Sequence, residues 1–468
     1  MKSVQRRGAA RPGAAALAAG LLAMGAIATA GPAAADDVPQ NAGGASAALG
    51  KLTVSDWATV DSTQKGPVRA GLFTMDVDKG GSLQTYCIDI NTNTVEGARY
   101  KEAGWRESSL QGNADAGRIR WILQNSYPQV NDLSALAQKA GVGSLDDHQA
   151  AAGTQVAIWR YSDHARVKAL SPAAQKLADY LYDHAENLDD PGASLSLTPS
   201  AVSGRPGRRL GPVTVHTKAD RVTLTPSIEA AAKGVKITDK AGKPVKTLAD
   251  GGQLFFDVPA RAGDGAASVI ASATTKVPVG RAFIGDGIRT QTMILAGSSD
   301  SSVTAGATVN WAKQGAVPAV SARRDCAKGG LEITVDNRGD RPYAYRIDGR
   351  KHTVAPGRSE TTLVKAGEDR AYRIGVTGPG GLARTFTGVL DCRTGVSSPG
   401  GPAGDTIVTH AGTGSTGAPG GSGNLGRPLA QTGGSSATPK IAGAGIALIV
   451  LGGGAVFLLR RRKNTAGE

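Results

Sequence analysis

The sequence predicts a multidomain protein: an α+β domain, two all-β immunoglobulin-like sandwich modules, a disordered linker and a C-terminal transmembrane helix. Three observations support this prediction. A chain of 468 residues is too long for one ordinary core and fits two to four domains. Its 65 glycines and 4% aromatic residues are typical of β-rich modules joined by flexible segments. The composition also changes three times between the two ends, and each change marks a predicted boundary.

Residues 1–35 are typical of a secretory signal peptide. Basic residues precede an Ala- and Leu-rich run from Ala14 to Ala30, and small residues lead up to Asp36. This order of basic, apolar and small segments predicts export and cleavage between Ala35 and Asp36. A transmembrane helix is the poorer interpretation, because the apolar run is short and dominated by Ala and Gly.

The first domain is expected over residues 51–190, which carry four of the five tryptophans and the clearest helical patterns. Alternating and helical spacings predict its elements. The expected strands are 70–77 and 83–90, and the expected helices are 131–140, 145–161 and 172–187. Ser144, with Asp147 three positions later, is the expected start of the second helix. Ser171 followed by Pro172 is the expected start of the third.

Two β-rich modules follow, over residues 193–315 and 320–393. Short alternating runs separated by Gly, Pro and Asp turns predict an immunoglobulin-like sandwich for the first and a smaller β-sandwich for the second. Cys326 and Cys392 bracket the smaller module. In an exported protein we expect them to form a disulfide, which on the chain-entropy model stabilises the module by roughly 4 kcal/mol.

The C-terminal part consists of a polar linker and a membrane segment. Residues 394–428 are rich in Gly, Ser, Thr and Pro, so they are expected to be a flexible, wall-spanning linker. Residues 429–468 contain an apolar stretch from Ile441 to Leu459 and then a basic cluster. An apolar run of about 19 residues can span a hydrocarbon core of ~30 Å, with the basic tail on the cytoplasmic side.

The apolar stretch follows Leu429-Ala430-Gln431-Thr432-Gly433. This ordered set of a short motif, an apolar span and a basic tail resembles the LPXTG sorting signal of Gram-positive wall proteins, with Ala430 where proline is usual. LAXTG variants are associated with actinobacterial sortases, so the resemblance implies a sortase of the class E type. That enzyme would cut between Thr432 and Gly433 and join Thr432 to peptidoglycan. Until this cut, the C-terminal apolar helix would hold the protein in the membrane.

Export and sorting account for most of the positive charge. The formal net charge of +14 falls to +6 when residues 1–35 and 433–468 are removed. A nucleic-acid partner is therefore not expected. The sequence has no CxxC pairs and no GxxxxGK[ST] loop, so no cofactor is expected. Residues 76–80 lack the glutamate and ligand spacing of a calcium loop and are expected to form a turn, so no metal is expected either.

Cys87 has no cysteine partner if Cys326 and Cys392 pair. A lone cysteine is most often a buried small hydrophobe, because free thiols are liabilities in an oxidising environment. One glutamine favours a functional role for Cys87 instead. Gln155 lies within an otherwise apolar helical face, and glutamine is rarely buried without a reason.

Tyr86-Cys87-Ile88-Asp89 and Thr154-Gln155-Val156-Ala157 resemble the motifs of the TQXA-type thioester domain of Gram-positive surface proteins, over residues 51–190. In that family the cysteine thiol attacks the glutamine side-chain amide, ammonia leaves and an internal thioester remains. The resemblance implies a bond between Cys87 Sγ and Gln155 Cδ. This activated acyl group would await an amine.

Three functions are open at this point. The first is a wall-anchored adhesin that acylates an amine-bearing target molecule once and is therefore not a turnover enzyme. The second is a structural stalk with an inert Cys87. The third is a cysteine-dependent acyl-transfer enzyme that uses His148 or His164. The same histidines are candidate bases for the adhesin, because a lysine amine with a pKa of ~10.4 is mostly protonated near neutrality.

Two further sets of side chains have candidate roles. Nearby aromatic side chains could keep water from the thioester, although each could equally be ordinary core; these are Tyr86, Trp121 and Trp159. In the middle module an isopeptide bond is conceivable between Asn310 and either Lys218 or Lys236, although ordinary exposed lysines are the simpler interpretation.

Overall fold

A computed structural model of the chain describes residues 43–61 and 67–393. The predicted signal peptide (1–35), linker (394–428) and sorting segment (429–468) lie outside these residues. Within the described ranges, no helix combines the length and the apolar character needed to cross a membrane.

The N-terminal part of the chain begins with four strands and continues mainly with helices, in agreement with the expected α+β character. Its strands are β1 (Ser46–Val60), β2 (Val68–Val77), β3 (Ser82–Cys87), β4 (Arg99–Ala103) and β5 (Val167–Ala169). Its helices are α1 (Ala116–Asn125), α2 (Leu133–Lys139), α3 (Asp147–Ser162) and α4 (Pro172–His184), with a 3₁₀ turn at Trp105–Glu107. The sequence analysis misses α1, whose isoleucines and tryptophan also suit a strand.

The start of α3 differs from the expected one. Asp146 is the N-cap: its side chain accepts a hydrogen bond from Gln149 N at 2.7 Å, and the Gln149 side chain accepts one from Asp146 N at 3.1 Å. The expected box of Ser144 and Asp147 is therefore wrong, because the Asp146 carboxylate lies closer to the free N–H groups of the first turn. Ser171 caps α4 as expected.

The regular elements in the middle part of the chain are almost all strands. It contains β6 (Leu195–Thr198), β7 (Ala201–Gly204), β8 (Arg209–Thr217), β9 (Val222–Pro226), β10 (Lys236–Thr238), β11 (Thr247–Leu248), β12 (Gln253–Asp257), β13 (Gly265–Thr275), β14 (Ala282–Gly285), β15 (Met293–Ser298) and β16 (Ser301–Trp311). One short helix, α5 (Ile228–Ala232), interrupts them. The all-β expectation for this segment agrees with these elements.

The first sheet closes on itself. Its order is β2-β3-β15-β14-β4-β1, and β1 pairs with β2 to complete the ring, while β5 extends one end of β1. The long strand β1 can close the ring because its first residues pair with both β4 and β2. A closed sheet has no free edge strand, so the ring is a barrel.

Two strands of this barrel come from the middle of the chain. Sequence analysis places residues 282–298 in the sandwich expected at 193–315, whereas β14 and β15 pair with β4 and β3 of the first domain. β13 and β16 pair along their full length, and the chain between them reaches out to the barrel. Alternation in a sequence identifies a strand but not its partner, so this pairing was not predictable from the pattern.

The remaining middle strands form two sheets, with the orders β10-β12-β8-β6 and β11-β9-β13-β16-β7. Buried residues of both sheets belong to the same hydrophobic cluster as the barrel and its helices. The barrel and the sandwich therefore share one core. Their immunoglobulin-like subclass stays a prediction.

The third module is a separate two-sheet unit. Its strands are β17 (Pro318–Asp325), β18 (Gly330–Asn337), β19 (Tyr343–Ile347), β20 (Arg350–Val354), β21 (Arg358–Lys365), β22 (Arg370–Gly378) and β23 (Leu382–Leu390). They form the sheets β17-β18-β21 and β20-β19-β22-β23. This module has its own buried cluster. The Cys326–Cys392 disulfide joins the turn after β17 to the residues that follow β23, which confirms the expected pairing.

Candidate functional site

Strand β3 carries Cys87 into the shared core. Cys87 is the last residue of the strand, and its side chain is 1% exposed. It lies opposite Met293 of β15, with 3.8 Å between Cys87 Sγ and Met293 Sδ. Cys87 is the free cysteine, because Cys326 and Cys392 are bonded to each other.

Helix α3 carries Gln155 to the same place. The helix packs against β1, β2, α1 and α4, which leaves its middle turns without a solvent-facing side. Gln155 is 1% exposed. The preceding Thr154 is fully buried and fixes the helix from another side, since its Oγ1 lies 2.6 Å from Ser126 Oγ.

The Gln155 side chain binds the main chain of Cys87 at both of its polar ends. Cys87 N donates to Gln155 Oε1 at 3.0 Å, and Gln155 Nε2 donates to Cys87 O at 2.8 Å. A backbone N–H can only donate, so the orientation of the amide is fixed by its partners. The structure therefore brings the two predicted residues together, with the amide held against the residue that carries the thiol.

This pairing resembles an oxyanion site. If a nucleophile attacked Gln155 Cδ, negative charge would develop on Oε1, which already accepts the Cys87 N–H at 3.0 Å. A backbone N–H directed at the oxygen on which charge develops is the kind of donor that stabilises such intermediates. The leaving nitrogen, Nε2, points instead towards a carbonyl oxygen.

A second contact links α3 to the chain after Cys87. Asp163, immediately after α3, accepts a hydrogen bond from Ile90 N at 3.0 Å on Oδ1 and one from Ser162 Oγ at 2.6 Å on Oδ2. Gln155 and Asp163 thus hold the segment 87–90 at two points. Sequence analysis missed Asp163, although a carboxylate just beyond the Gln155 helix is a visible signal for such an anchor.

The electrostatics of the site keep the thiol protonated. Burial raises the pKa of Cys87 well above its usual range, and the carboxylates of Asp163 and Asp89 raise it further. Burial also raises the pKa of Asp163, while the hydrogen bonds from Ser162 and Ile90 act in the opposite direction. A protonated thiol is a weak nucleophile, so chemistry here depends on positioning more than on a preformed thiolate.

The candidate shielding aromatics differ in position. Trp159 is fully buried in α3, and Tyr86 is fully buried beside Cys87, with its hydroxyl donating to Tyr127 O at 2.8 Å. Trp121 is only partly buried and packs against the edge of the core. Tyr86 and Trp159 therefore belong to the dry surroundings of the site, where they also serve as ordinary core.

The two candidate histidines lie away from the pair. His148 is in the first turn of α3, roughly 10 Å along the helix axis from Gln155. Its Nδ1 lies 3.0 Å from Ser55 O. His164 follows the end of α3, is exposed and has a φ of 51°. Within the described part of the chain, neither ring has a hydrogen bond to Cys87 or Gln155, and a role of either histidine as a base stays a prediction.

The candidate isopeptide partners lie on different sheets. Asn310 lies on β16 of the five-stranded sheet, and its Nδ2 donates to Pro318 O at 2.8 Å. Lys236 lies on β10 of the four-stranded sheet, and Lys218 directly follows β8 of that same sheet. Asn310 instead binds the start of the third module.

Comparisons with known proteins agree with the motifs. The family described as "TED: Thioester domain" matches residues 84–187. The family described as "Bacterial phospholipase C, C-terminal domain" matches residues 318–389. No protein of curated function matches the chain.

Several solved structures are similar to the chain at low identity. The Bacillus anthracis TIE protein is 16% identical, and the match covers 75% of this chain and 81% of that one with a TM-score of 0.27. The thioester domain of the Enterococcus faecium TIE86 protein is 20% identical, with 59% and 99% covered and a TM-score of 0.29. The thioester domain of the Staphylococcus aureus TIE protein is 14% identical, with 57% and 98% covered and a TM-score of 0.23.

With TM-scores this low, we draw no conclusion from the structural similarities. The family match is independent of them and spans both halves of the site, since it includes strand β3 and helix α3. Residues 84–187, which hold the Cys87–Gln155 pair, match the thioester domain family.

Proposed function

We propose that this protein is a wall-anchored bacterial surface adhesin. Its N-terminal domain, of the TQXA type, forms an internal thioester between Cys87 and Gln155. The thioester then acylates an amine on a target surface molecule and leaves the protein attached through an amide bond. The thioester domain family match supports the chemistry, and the signal and sorting motifs of the sequence support the location.

One observation carries this proposal: the Gln155 amide is buried and bound at both ends by the main chain of Cys87. A buried glutamine in a core helix needs its polar atoms satisfied. Satisfying them on the residue that carries the free thiol places electrophile and nucleophile side by side. An inert cysteine would not require this arrangement.

Formation of the bond is balanced by loss of ammonia. Cys87 Sγ attacks Gln155 Cδ, and charge on Oε1 is stabilised by the Cys87 N–H. The thiol proton goes to Nε2, the Cδ–Nε2 bond breaks, and ammonia leaves with the new Sγ–Cδ bond in place. An amide is a poor electrophile, so this step relies on the two groups being held together, which is worth several kcal/mol in well-oriented reactions.

Use of the bond consumes it. The nitrogen of a target amine attacks Gln155 Cδ, the Sγ–Cδ bond breaks, and the amine proton returns to Cys87 as a thiol. The product is an amide on Gln155 and no free glutamine amide remains. Each molecule therefore reacts once.

The thioester is tested by the intact mass of the exported protein. Wild-type protein should be one ammonia lighter than its sequence, and incubation with methylamine should add one methylamine at Gln155. Cys87→Ala and Gln155→Ala should both have full mass and take up no amine. Gln138→Ala, at an exposed glutamine of α2, is the matched control and should behave as wild type.

A full-mass wild-type protein with a Cys87 that alkylates after unfolding would overturn the thioester and favour a structural stalk. Repeated turnover of a small acyl substrate would favour a cysteine-dependent acyl-transfer enzyme instead. The target is best identified by incubating wild-type protein with an amine-bearing surface extract and sequencing what is amide-linked to Gln155.

The proposed location has its own test. We propose that a sortase of the class E type cuts between Thr432 and Gly433 and joins Thr432 to peptidoglycan. Replacing Leu429-Ala430-Gln431-Thr432-Gly433 with a Gly/Ser sequence should move the protein from the wall fraction to the membrane fraction. Unchanged recovery from the wall after digestion of peptidoglycan would contradict this anchor.

A further inference from the structure

One side of the Cys87 site is formed by a short segment that the third module also contacts. We refer to residues 289–293 as the border segment. They connect β14 to β15 and include the first residue of β15. Apart from Arg289 they are buried, and they carry both main-chain and side-chain contacts to the neighbourhood of Cys87.

On its inner side, the border segment lines the Cys87 strand. Ile88 N donates to Thr292 O at 3.1 Å, and Met293 Sδ lies 3.8 Å from Cys87 Sγ. Gln291 Nε2 donates to Asp89 O. Cys87 and the two residues after it are therefore held against this segment.

On its outer side, the same segment is held by the third module. Thr292 Oγ1 donates to Asp391 Oδ2 at 3.4 Å, and Thr292 is fully buried. Arg289 Nη2 lies 3.0 Å from Asp369 Oδ2. Asp391 is 5% exposed, so its carboxyl group is enclosed between the two modules.

The disulfide joins this contact to a second one. Cys392 follows Asp391 and is bonded to Cys326, whose N–H donates to Arg106 O at 3.3 Å. Arg324 Nη1 donates to Glu107 O at 3.4 Å. The end of β17 and the residues after β23 thus each contact the part of the chain around the barrel, and the disulfide links these two parts of the third module.

We infer that the third module is a positioning element of the thioester site: Asp391, acting through Thr292, holds the border segment against Cys87. This inference rests on the proposed thioester. It assigns the third module a role in the lifetime of the bond, since a looser border segment would let water reach the Gln155 carbonyl carbon.

The surroundings of Asp391 fit a contact made by a neutral carboxyl group. Burial raises the pKa of Asp391 to about 7, with further increases from Asp89, Asp369 and Glu368 and a decrease from Arg324. The three carboxylates of Glu368, Asp369 and Asp391 lie close together. Glu368 Oε1 is occupied by the N–H groups of Cys392 and Arg393, and Asp369 by Arg289.

The test measures thioester hydrolysis and aminolysis separately in the full exported chain. Thr292→Val removes the hydroxyl at nearly constant volume, and Asp391→Ala removes its acceptor. Both should hydrolyse the thioester at least several-fold faster than wild type, as followed by the gain of water in the intact mass. Thr292→Ser keeps the hydroxyl and should restore the wild-type rate. Thr334→Val, at a threonine on the outer face of β18, is the matched control.

Melting temperatures measured alongside keep the inference falsifiable. If Thr292→Val and Asp391→Ala hydrolyse at the wild-type rate while the thioester is present, the positioning role is wrong and the proposed function stands. If hydrolysis rises only in proportion to a lowered melting temperature and Thr292→Ser does not rescue it, the contact is merely structural. A wild-type protein without any thioester overturns both proposals together.

Discussion

The middle and the C-terminal modules are attached to the N-terminal domain in opposite ways. The middle module contributes β14 and β15 to the barrel through backbone hydrogen bonds, and it shares the hydrophobic core. The third module keeps its own core and meets the barrel through polar contacts close to the disulfide. The first attachment makes two modules one folding unit, whereas the second allows one module to influence another without sharing its interior.

The largest expected effect breaks the shared core. Phe283 is fully buried in β14, so Phe283→Ala should lower the free energy of unfolding by roughly 3–5 kcal/mol. Because β14 lies in the barrel, the N-terminal domain and the middle module should lose stability in one calorimetric transition. The third module provides the comparison: Ile333→Ala, at a fully buried position of β18, should cost ~2–5 kcal/mol in a separate transition.

Two outcomes would contradict this division. One is a Phe283→Ala protein in which only the middle module melts earlier. The other is an Ile333→Ala protein in which the barrel transition shifts by as much as the third-module transition. Either would mean that the cores are coupled differently from the packing described above.

The disulfide gives the next effect. Replacing both Cys326 and Cys392 with serine removes a cross-link between residues 66 positions apart. On the chain-entropy model this should lower the stability of the third module by about 4 kcal/mol. The barrel transition should stay within error of wild type, because its core contains neither residue. Calorimetry of the double variant, with the reduced wild-type protein as a second measurement, checks this expectation.

A smaller effect is expected at Asp163, which holds the chain after Cys87. Asp163→Ala leaves the Ile90 N–H without its acceptor and should cost ~1–3 kcal/mol. Asp163→Asn retains an oxygen for that N–H and should cost less. The fraction of protein that has formed the thioester is read from the loss of ammonia in the intact mass after refolding. It should be lower for Asp163→Ala than for Asp163→Asn. Equal fractions in both variants would assign the anchoring to Gln155 alone.

The smallest effect is a dependence on pH. The pKa of Asp391 is about 7 in the folded protein against an ordinary value of 3.8, so the folded state holds the proton more tightly. The associated stability is complete below pH ~4 and is lost as the pH rises through about 7. The third-module transition should therefore shift to lower temperature between pH 5 and 8. Asp391→Asn should make the transition temperature less dependent on pH. Part of the dependence should remain, because burial also raises the pKa of Glu107 and this contributes a pH dependence of the same sign. A transition temperature that rises over this range would contradict the assignment.

The sequence predicts the Cys87–Gln155 pair better than it predicts the segments that surround this pair. The Cys87 and Gln155 motifs identify a pair that the fold does bring together, and the Cys326–Cys392 disulfide follows from the cysteine count in an exported chain. The border segment could not be found this way. Thr292 and Met293 sit about two hundred residues from Cys87, and only strand pairing makes them neighbours.

The histidines show what closeness along the chain does not establish. His148 lies on the same helix as Gln155, so closeness in sequence suggested a shared site. The helix rise separates them by two turns, and the His148 ring binds Ser55 instead. Asp163 lies at a similar sequence distance and does reach the segment after Cys87, because the chain at the end of α3 passes beside Ile90. The number of residues between two positions on a helix fixes their separation along the helix axis. It does not determine which residue of the next element each of them contacts.

The Cys326–Cys392 bond also determines how the chain would carry tension. A protein bonded to a target through Gln155 and held at its C-terminal end would be pulled from both sides of the third module. Load follows the shortest covalent path, which here crosses the disulfide and bypasses the residues between the two cysteines. At about 3.3–3.6 Å per residue, those residues would otherwise yield ~220 Å of extension. Under oxidising conditions the part of the third module between the two cysteines therefore cannot be extended, and reduction would make it extensible.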